Sequence, residues 1–293
     1  VIVADDRVVG RGWTQPGGRP HAEAQALAQG GAAAKGAIAY VTLEPCAHES
    51  PRGPACADLL IAAGISRAVI AVRDPDPRTN GAGAARLRAA GIDVVEDAAP
   101  CEGRAVAPGF FTRQLRGRPH VTLKLALSLD GGMAMADGRS RWITGDAARA
   151  HAHVERACAE LILVGRGTLA IDLPRLDVRV AGLEARSPRP VLLSRSAAGV
   201  PDGWLHLAAP HGVCDLPGDH LLVEGGAGAA AAFLAADLVD RLLLYRAPIL
   251  IGGARTLGDI GLDDFADAHG RWRLDDARML GSDRVEVYER RRE

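Results

Sequence analysis

At 293 residues the chain is too long for one ordinary domain and suits two of about 150 residues each. Its 48% apolar content can fill real cores, yet no stretch approaches the roughly 18 consecutive apolar residues of a membrane helix. Thirty-five basic residues against 36 acidic ones leave a net charge of −1, which excludes a general electrostatic nucleic-acid binder. No basic segment, apolar stretch and small-residue cleavage site follow one another at the N-terminus, so the expected setting is the cytoplasm and the expected partners are small molecules.

The first hundred residues alternate strand-like and helix-like segments. Residues 1–4 and 8–12 flank Asp5-Asp6 as a hairpin. Pro20 precedes an Ala-rich helical stretch over residues 21–27, and residues 39–43 form a short buried-type strand. A helix over 56–63 closes at Gly64, and a strand follows over 68–72. Residues 74–83, with two Asp-Pro steps and an Asn-Gly, read as a loop; a helix over 84–90 ends at Gly91 before a strand over 92–96. This alternation predicts an α/β layered domain. A boundary is expected near residues 113–120, and strands over 121–127, 161–164, 190–193, 221–223 and 242–245 make the second half α/β as well.

Five cysteines (Cys46, Cys56, Cys101, Cys158 and Cys214) at irregular spacing favour metal binding or plain burial over a disulfide framework. His21-Ala22-Glu23 stands at a predicted helix start, Pro45-Cys46 follows a strand, and Cys56 opens the next helix. Taken singly, His21 is a surface residue and each cysteine a small hydrophobe. Jointly, one His and two Cys leave the fourth tetrahedral position of zinc free for water, as catalytic sites do. Glu23 is then placed to take a proton from that water and deliver it to a leaving amine. His-x-Glu followed by Pro-Cys is the pattern of zinc nucleobase deaminases, although Cys46 and Cys56 stand ten positions apart where those have Cys-x-x-Cys. His48, two residues after Cys46, reads as a loop residue lining the pocket.

Thr42-Leu43-Glu44-Pro45-Cys46-Ala47-His48 and Gly53-Pro54-Ala55-Cys56-Ala57-Asp58-Leu59-Leu60 resemble the bifunctional deaminase–reductase family of riboflavin biosynthesis, in which a long loop separates the cysteines. The likeness extends through Asp74-Pro75-Asp76-Pro77, Asn80-Gly81-Ala82-Gly83 and Ala89-Ala90-Gly91-Ile92. It implies a cytidine-deaminase-like three-layer domain over residues 1–115 that removes the 2-amino group of a phosphoribosylaminopyrimidine. One zinc per chain would be held by His21, Cys46 and Cys56, with Glu23 catalytic. Family members carry a helix and an Asn/Pro-rich turn ahead of the strand that opens here at Val1, and that turn helps hold the pyrimidine. The sequence given lacks it, which raises the alternative of an active reductase beside a silent, structural deaminase domain.

In the second half, Lys124-Leu125-Ala126-Leu127-Ser128-Leu129-Asp130-Gly131, Ser140-Arg141-Trp142-Ile143-Thr144 and Leu163-Val164-Gly165-Arg166-Gly167-Thr168 lie next to predicted strands and turns. Glu224-Gly225-Gly226-Ala227-Gly228 follows a strand and opens an Ala-rich helix, where backbone N–H groups can approach a phosphate. The spacing is not Gly-x-Gly-x-x-Gly, so a Rossmann unit is disfavoured. In order, with Ala247-Pro248-Ile249-Leu250-Ile251-Gly252-Gly253, these segments resemble the reductase half of the same family.

That resemblance implies a dihydrofolate-reductase-like α/β domain over residues 121–293, in which NADPH reduces the ribosylamino sugar to ribitylamino. Ala126, Trp142, Thr168, Asp172, Gly226, Ala227 and Gly228 would contact the cofactor. Ser140, Arg156, Leu176, Arg179 and Glu224 would contact the substrate. The arginine forks suit a sugar phosphate. Lys124, one of two lysines in the chain, is a further polar group for sugar hydroxyls or proton delivery. Asp172 alone stands before Pro174 where the family has paired acids. A homo-oligomer is expected, with neither nucleic acid nor membrane as partner. A purely nucleotide-binding or regulatory role is disfavoured, because binding alone does not require the full His, Glu and Cys set.

Overall fold

The computed structural model describes residues 1–48 and 50–292 and divides into two units, Val1–Leu115 and Arg116–Glu293. In the first unit, β1 (Ile2–Ala4) and β2 (Arg7–Gly10) form the expected hairpin. Asp5 and Asp6 carry it at φ +47° and +55°, the left-handed pair of a type I′ turn. After α1 (Ala22–Gly30) come β3 (Ile38–Leu43), α2 (Cys56–Ala62), β4 (Arg67–Val72), α3 (Ala82–Ala89), β5 (Asp93–Val95), α4 (Pro100–Val106) and α5 (Pro108–Arg116). The sheet runs β2-β1-β3-β4-β5, with β3, β4 and β5 parallel and the hairpin antiparallel at one edge. The core is small-residue in character: Ala26, Ala39, Ala57 and Ala68 pack with Ile2, Leu60 and Leu87. Such side chains let helices approach the sheet closely. The predicted loop over 74–83 is two residues too long, because Gly81 (φ +91°) already caps α3, which begins at Ala82.

The second unit contains β6 (His120–Leu127), α6 (Asp146–Ala157), β7 (Leu161–Gly165), α7 (Arg166–Asp172), β8 (Arg189–Leu193), β9 (Leu205–Leu207), β10 (His220–Val223), α8 (Ala227–Ala235), β11 (Arg241–Arg246), β12 (Trp272–Leu280) and β13 (Asp283–Arg290). Its sheet runs β12-β13-β11-β6-β10-β7-β8-β9; the last six strands in that order are parallel, and β13 and β12 continue it antiparallel. Strands covered on both faces read as continuous apolar runs, and β7 does so with Leu161, Ile162, Leu163 and Val164 all buried. Leu161 and Leu163 join the core under α8 with Val121, Leu123, Leu221, Val223 and Phe233, while Ile162, Val164 and Leu222 pack into a second cluster. The two-residue period therefore turns Lys124 and Ala126, and Glu224 just past β10, away from the first core. Pro190 fits in β8 because β9 pairs only from Val191 onward, leaving no neighbour on that side to bond it. Among the described residues no helix is long and apolar enough to cross a membrane.

Candidate active sites

In the first unit, three chain segments meet at one point. His21 precedes α1 in extended backbone (φ −73°, ψ 164°), which puts Glu23 in the first helical turn. Beyond β3, the Cys46 sulfur accepts a hydrogen bond from the Cys56 N–H at 3.3 Å, and the Ala57 N–H donates to the Cys46 carbonyl at 3.2 Å. The start of α2 thus grips the Cys46 loop. His21 Nδ1 lies 3.3 Å from Cys56 Sγ and 3.6 Å from Cys46 Sγ, and the three atoms all fall within 4.8 Å of one another.

Tetrahedral zinc with ordinary Zn–N and Zn–S lengths asks for N···S separations of about 3.6 Å. The donor set fits zinc. It is the one such group of three found among the described residues. The hydrogen bond shared by the two thiols holds Cys46 low and pushes Cys56 up, so one of them is ready to ligate as thiolate. Burial pushes the Glu23 carboxyl up, against a backbone hydrogen bond and the nearby His21, and the Cys56 thiol lies beside it.

Sequence reasoning missed the residues that hold this loop. Glu44, 2% exposed, accepts hydrogen bonds from the N–H groups of Asp74 (3.3 Å), Gly81 (2.8 Å) and Ala84 (3.0 Å). It caps α3 from outside the helix and ties the 74–81 loop to the strand end that carries Cys46. Gly83 allows the approach, since a Cβ there would stand 2.0 Å from the Pro45 carbonyl oxygen. Arg19 donates to the Pro54 carbonyl at 3.0 Å and reaches Cys46 Sγ at 3.7 Å. His48 stands outside the ligand set, with Nδ1 3.4 Å from Thr79 Oγ1. Burial, with Asp76, Glu44 and Cys46 nearby, pushes Asp74 up to about 6 even though its carboxylate accepts the Asp76 N–H.

The second unit encloses a cavity of about 1200 Å³. All the residues expected in the second site line it. Ala126, Trp142, Thr168, Asp172 and the 226–228 turn are there, and so are Ser140, Arg156, Leu176, Arg179, Glu224 and Lys124. The turn opens α8 with Gly226 as its cap, and the Gly226 N–H donates to Thr168 Oγ1 at 3.1 Å. Gly225 is required there, since a Cβ would meet the Ala229 Cβ at 2.4 Å, whereas Gly228 faces open space. A helix N-terminus bare of side chains and open to a large cavity suits a cofactor diphosphate.

Opposite charges also line this cavity. Arg156 donates to Glu224 through Nε (2.7 Å) and Nη2 (2.9 Å) and to the Asp177 carbonyl through Nη1 (2.9 Å). Burial alone would raise the Glu224 carboxyl, but Arg156, Lys124 and His153 together hold it below its ordinary value. The Lys124 ammonium lies 5.8 Å from the centre of the buried Tyr245 ring, whose hydroxyl is 2.7 Å from His151 Nδ1. Two lining residues escaped the sequence reading. Arg166 clamps the loop after β8 through Ser194 Oγ (3.0 Å) and the Ser196 carbonyl (2.8 Å), and His153 stands against Arg179. His153 was recoverable in principle, being one turn before Arg156 on α6.

Residues 119–203 and 215–285 match the RibD C-terminal domain, and residues 1–72 match the cytidine and deoxycytidylate deaminase zinc-binding region. The Escherichia coli riboflavin biosynthesis protein RibD is 36% identical over 332 residues, covering 97% of this chain and 90% of the relative. The chain belongs to the RibD family. Mycobacterium tuberculosis RibD is 38% identical over 299 residues, 97% of this chain and 87% of the relative. An Acinetobacter baumannii RibD structure superposes with a TM-score of 0.86 at 32% identity, over 99% of this chain and 91% of that one. A Thermotoga maritima diaminohydroxyphosphoribosylaminopyrimidine deaminase/5-amino-6-(5-phosphoribosylamino)uracil reductase also superposes at 0.86, with 27% identity over 99% and 90% of the two chains. As a RibD chain it joins a cytidine-deaminase-like zinc-binding region to a RibD C-terminal domain, both α/β, as the sequence predicts.

Proposed function

We propose that this chain performs two consecutive steps of riboflavin biosynthesis, with residues 1–115 as the deaminase domain and residues 121–293 as the reductase domain. The first step is hydrolytic deamination of 2,5-diamino-6-(5-phosphoribosylamino)pyrimidin-4(3H)-one. His21, Cys46 and Cys56 would hold a zinc ion, which when bound would supply Lewis-acid activation of a water molecule. Glu23, in the first turn of α1 beside those ligands, takes the proton from the attacking water and passes it to the departing amine. Glu44 and Gly83 keep the Cys46 loop in place while this happens.

The second step reduces the ribosyl side chain to ribityl. NADPH, when bound, would supply the hydride for the C1 carbon of the sugar. Ala126, Trp142, Thr168, Asp172 and the Gly226-Ala227-Gly228 turn hold the cofactor. Ser140, Arg156, Leu176, Arg179 and Glu224 hold the sugar phosphate, with Lys124 oriented by Tyr245 toward the sugar hydroxyls. The near-neutral charge supports small-molecule partners rather than nucleic acid, in the cytoplasm. The open edge of β12, with Leu274 and Met279 exposed, supports a homo-oligomer.

The observation that carries this reading is the convergence of His21, Cys46 and Cys56 at zinc-ligand spacing beside Glu23. The test is one incubation of the phosphoribosylated diaminopyrimidinone with NADPH, with products resolved by mass. A product showing both amine-to-oxygen exchange and hydride addition is expected. Unchanged substrate, with the separately supplied deaminated intermediate still reduced, would overturn the deaminase half.

A further inference from the structure

Two loops leave the sheet of the second unit side by side. β6 and β11 are parallel neighbours paired to their last residues, Leu127 opposite Arg246, so residues 128–142 and 247–255 start from the same end of the sheet. The first loop brings Ser140 and Trp142 to the cavity, with Met133, Ala134 and Gly138, and the second brings Arg255. Neither loop contains a helix or a named strand, so its shape rests on the bonds between the two. The Leu129 N–H donates to the Ile249 carbonyl at 2.8 Å, the Met133 N–H to the Arg255 carbonyl at 2.7 Å, and the Arg255 N–H to the Ala134 carbonyl at 2.9 Å.

Asp130 ties this junction with its side chain. Its Oδ1 accepts from the Ser128 hydroxyl (2.5 Å) and the Ile251 N–H (3.2 Å), and its Oδ2 accepts from the Gly252 N–H (2.9 Å). Ser128 is fully buried and its Oγ accepts in turn from the Gly132 N–H at 2.8 Å. The Ser128 hydroxyl, then the Gly252 and Ile251 N–H groups, hold the Asp130 carboxyl down at about 2. Three donors on two oxygens call for a carboxylate, since an amide in its place would turn its NH₂ toward one of them. We propose that Asp130 is a positioning residue of the reductase, latching the two loops so that Ser140 and Trp142 are presented to the cavity in one fixed arrangement. This rests on the reductase reading given above. Asp130 is itself exposed and outside the cavity lining, so it acts through the loop backbone rather than on a ligand.

The test compares Asp130→Asn and Asp130→Ala with the native full chain, by amide hydrogen exchange and by NADPH oxidation with the deaminated intermediate. Loss of the latch should speed exchange at Ile251 and Gly252 by at least ~10-fold while β6 and β11 keep their protection. The Gly226 turn and Arg156 lie on other segments and keep their grip, so kcat should fall by roughly 10- to 100-fold with both KM values little changed. Asn should fail as badly as Ala. Gly132→Ala, whose Cβ would meet the Ala254 Cβ at 2.6 Å, wedges the same junction without touching the carboxylate and should show the same split. Native kcat in Asp130→Asn would overturn the proposal and leave the side chain a space-filler. Protection lost across the whole unit, with a matching fall in melting temperature, would overturn it in favour of a general stabilising role. A native enzyme that oxidises no NADPH, with Ile251 and Gly252 deprotected in both Asp130 variants, would instead overturn the reductase reading while the link between the loops stood.

Discussion

The Arg156–Glu224 pair should behave as a unit whose halves cannot be removed separately. Its side chains are 13% and 9% exposed and joined by two hydrogen bonds of 2.7 and 2.9 Å. Two unit charges with centres ~4 Å apart attract by ~4 kcal/mol at an effective dielectric of ~20, and much of that only offsets their desolvation. Removing one partner leaves the other charge buried, which costs ~3–5 kcal/mol. Arg156→Met should fall at the lower end, because Lys124 also acts on Glu224. In a unit of this size ~3 kcal/mol lowers the melting temperature by roughly 6–12 °C.

The assay is thermal and urea unfolding of Arg156→Met, Glu224→Gln and the double variant. The double variant should be no worse than either single one, giving a coupling energy of at least ~3 kcal/mol. The pH dependence supplies the sign. In the native protein the Glu224 pKa is depressed, so its stabilisation is complete above the ordinary carboxylate value and fades as pH falls through the folded one. In Arg156→Met the buried carboxylate is largely uncompensated at neutral pH and is relieved by protonation. The gap between native and variant should narrow as pH falls from 7 to 4. Additive losses, or a gap that does not change with pH, would refute this account of the pair.

Other consequences are narrower. Glu23→Gln should slow deamination by about 10²- to 10⁴-fold while NADPH oxidation with the deaminated intermediate is unchanged and the zinc content stays at one per chain; equal loss of both activities would point to misfolding. Cys46→Ser should lower the zinc content measured by stoichiometric metal analysis, because it removes a thiolate from a three-residue donor set. His120 is 6% exposed, its Nδ1 has no partner, and burial pushes its pKa from 6.5 down to about 4. The folded state then binds its proton later than the unfolded chain, so stability present above pH 6.5 should drain away toward pH 4. That loss, up to ~3 kcal/mol, should be missing from the pH profile of His120→Phe.

Local chemistry made much of this molecule readable. Pro20 ahead of an Ala-rich run announces α1, and the Asp5-Asp6 pair announces the hairpin. His21, Glu23, Cys46 and Cys56 stand out because each sits at the start or end of an element, where side chains converge. What stayed hidden depends on distant partners. Glu44 looks like any strand-end carboxylate until the fold brings it Gly81 and Ala84, which lie 37 and 40 residues away. The β12–β13 hairpin gave no periodic signal because most of β12 is exposed and its Arg and Asp residues mask the alternation. The contact between His153 and Arg179 exists only once the backbone of Arg179 is placed against the ring, and no spacing encodes that.

The geometry of the metal site depends as much on absent side chains as on present ones. A Cβ on Gly12 would lie 2.1 Å from the carbonyl oxygen of Ala22, the residue between His21 and Glu23. Backbone cannot yield that distance without moving, so Gly12→Ala should push the start of α1 outward and carry a ligand and the proton carrier with it. Gly30 is the matched control. It closes the same helix, its nearest prospective contact is a Val9 methyl at 3.6 Å, and its backbone is ordinary αR. Gly30→Ala should therefore be neutral or stabilising by ~0.5–1 kcal/mol through the unfolded chain. Zinc affinity measured by competition with a chelator should fall at least tenfold in Gly12→Ala and stay constant in Gly30→Ala, with NADPH oxidation by the second unit unaffected in both. A Gly12→Ala protein that keeps full zinc affinity would mean that the start of α1 is not set by its contact with the segment that follows β2, and that the ligands, rather than the close backbone packing, fix the site.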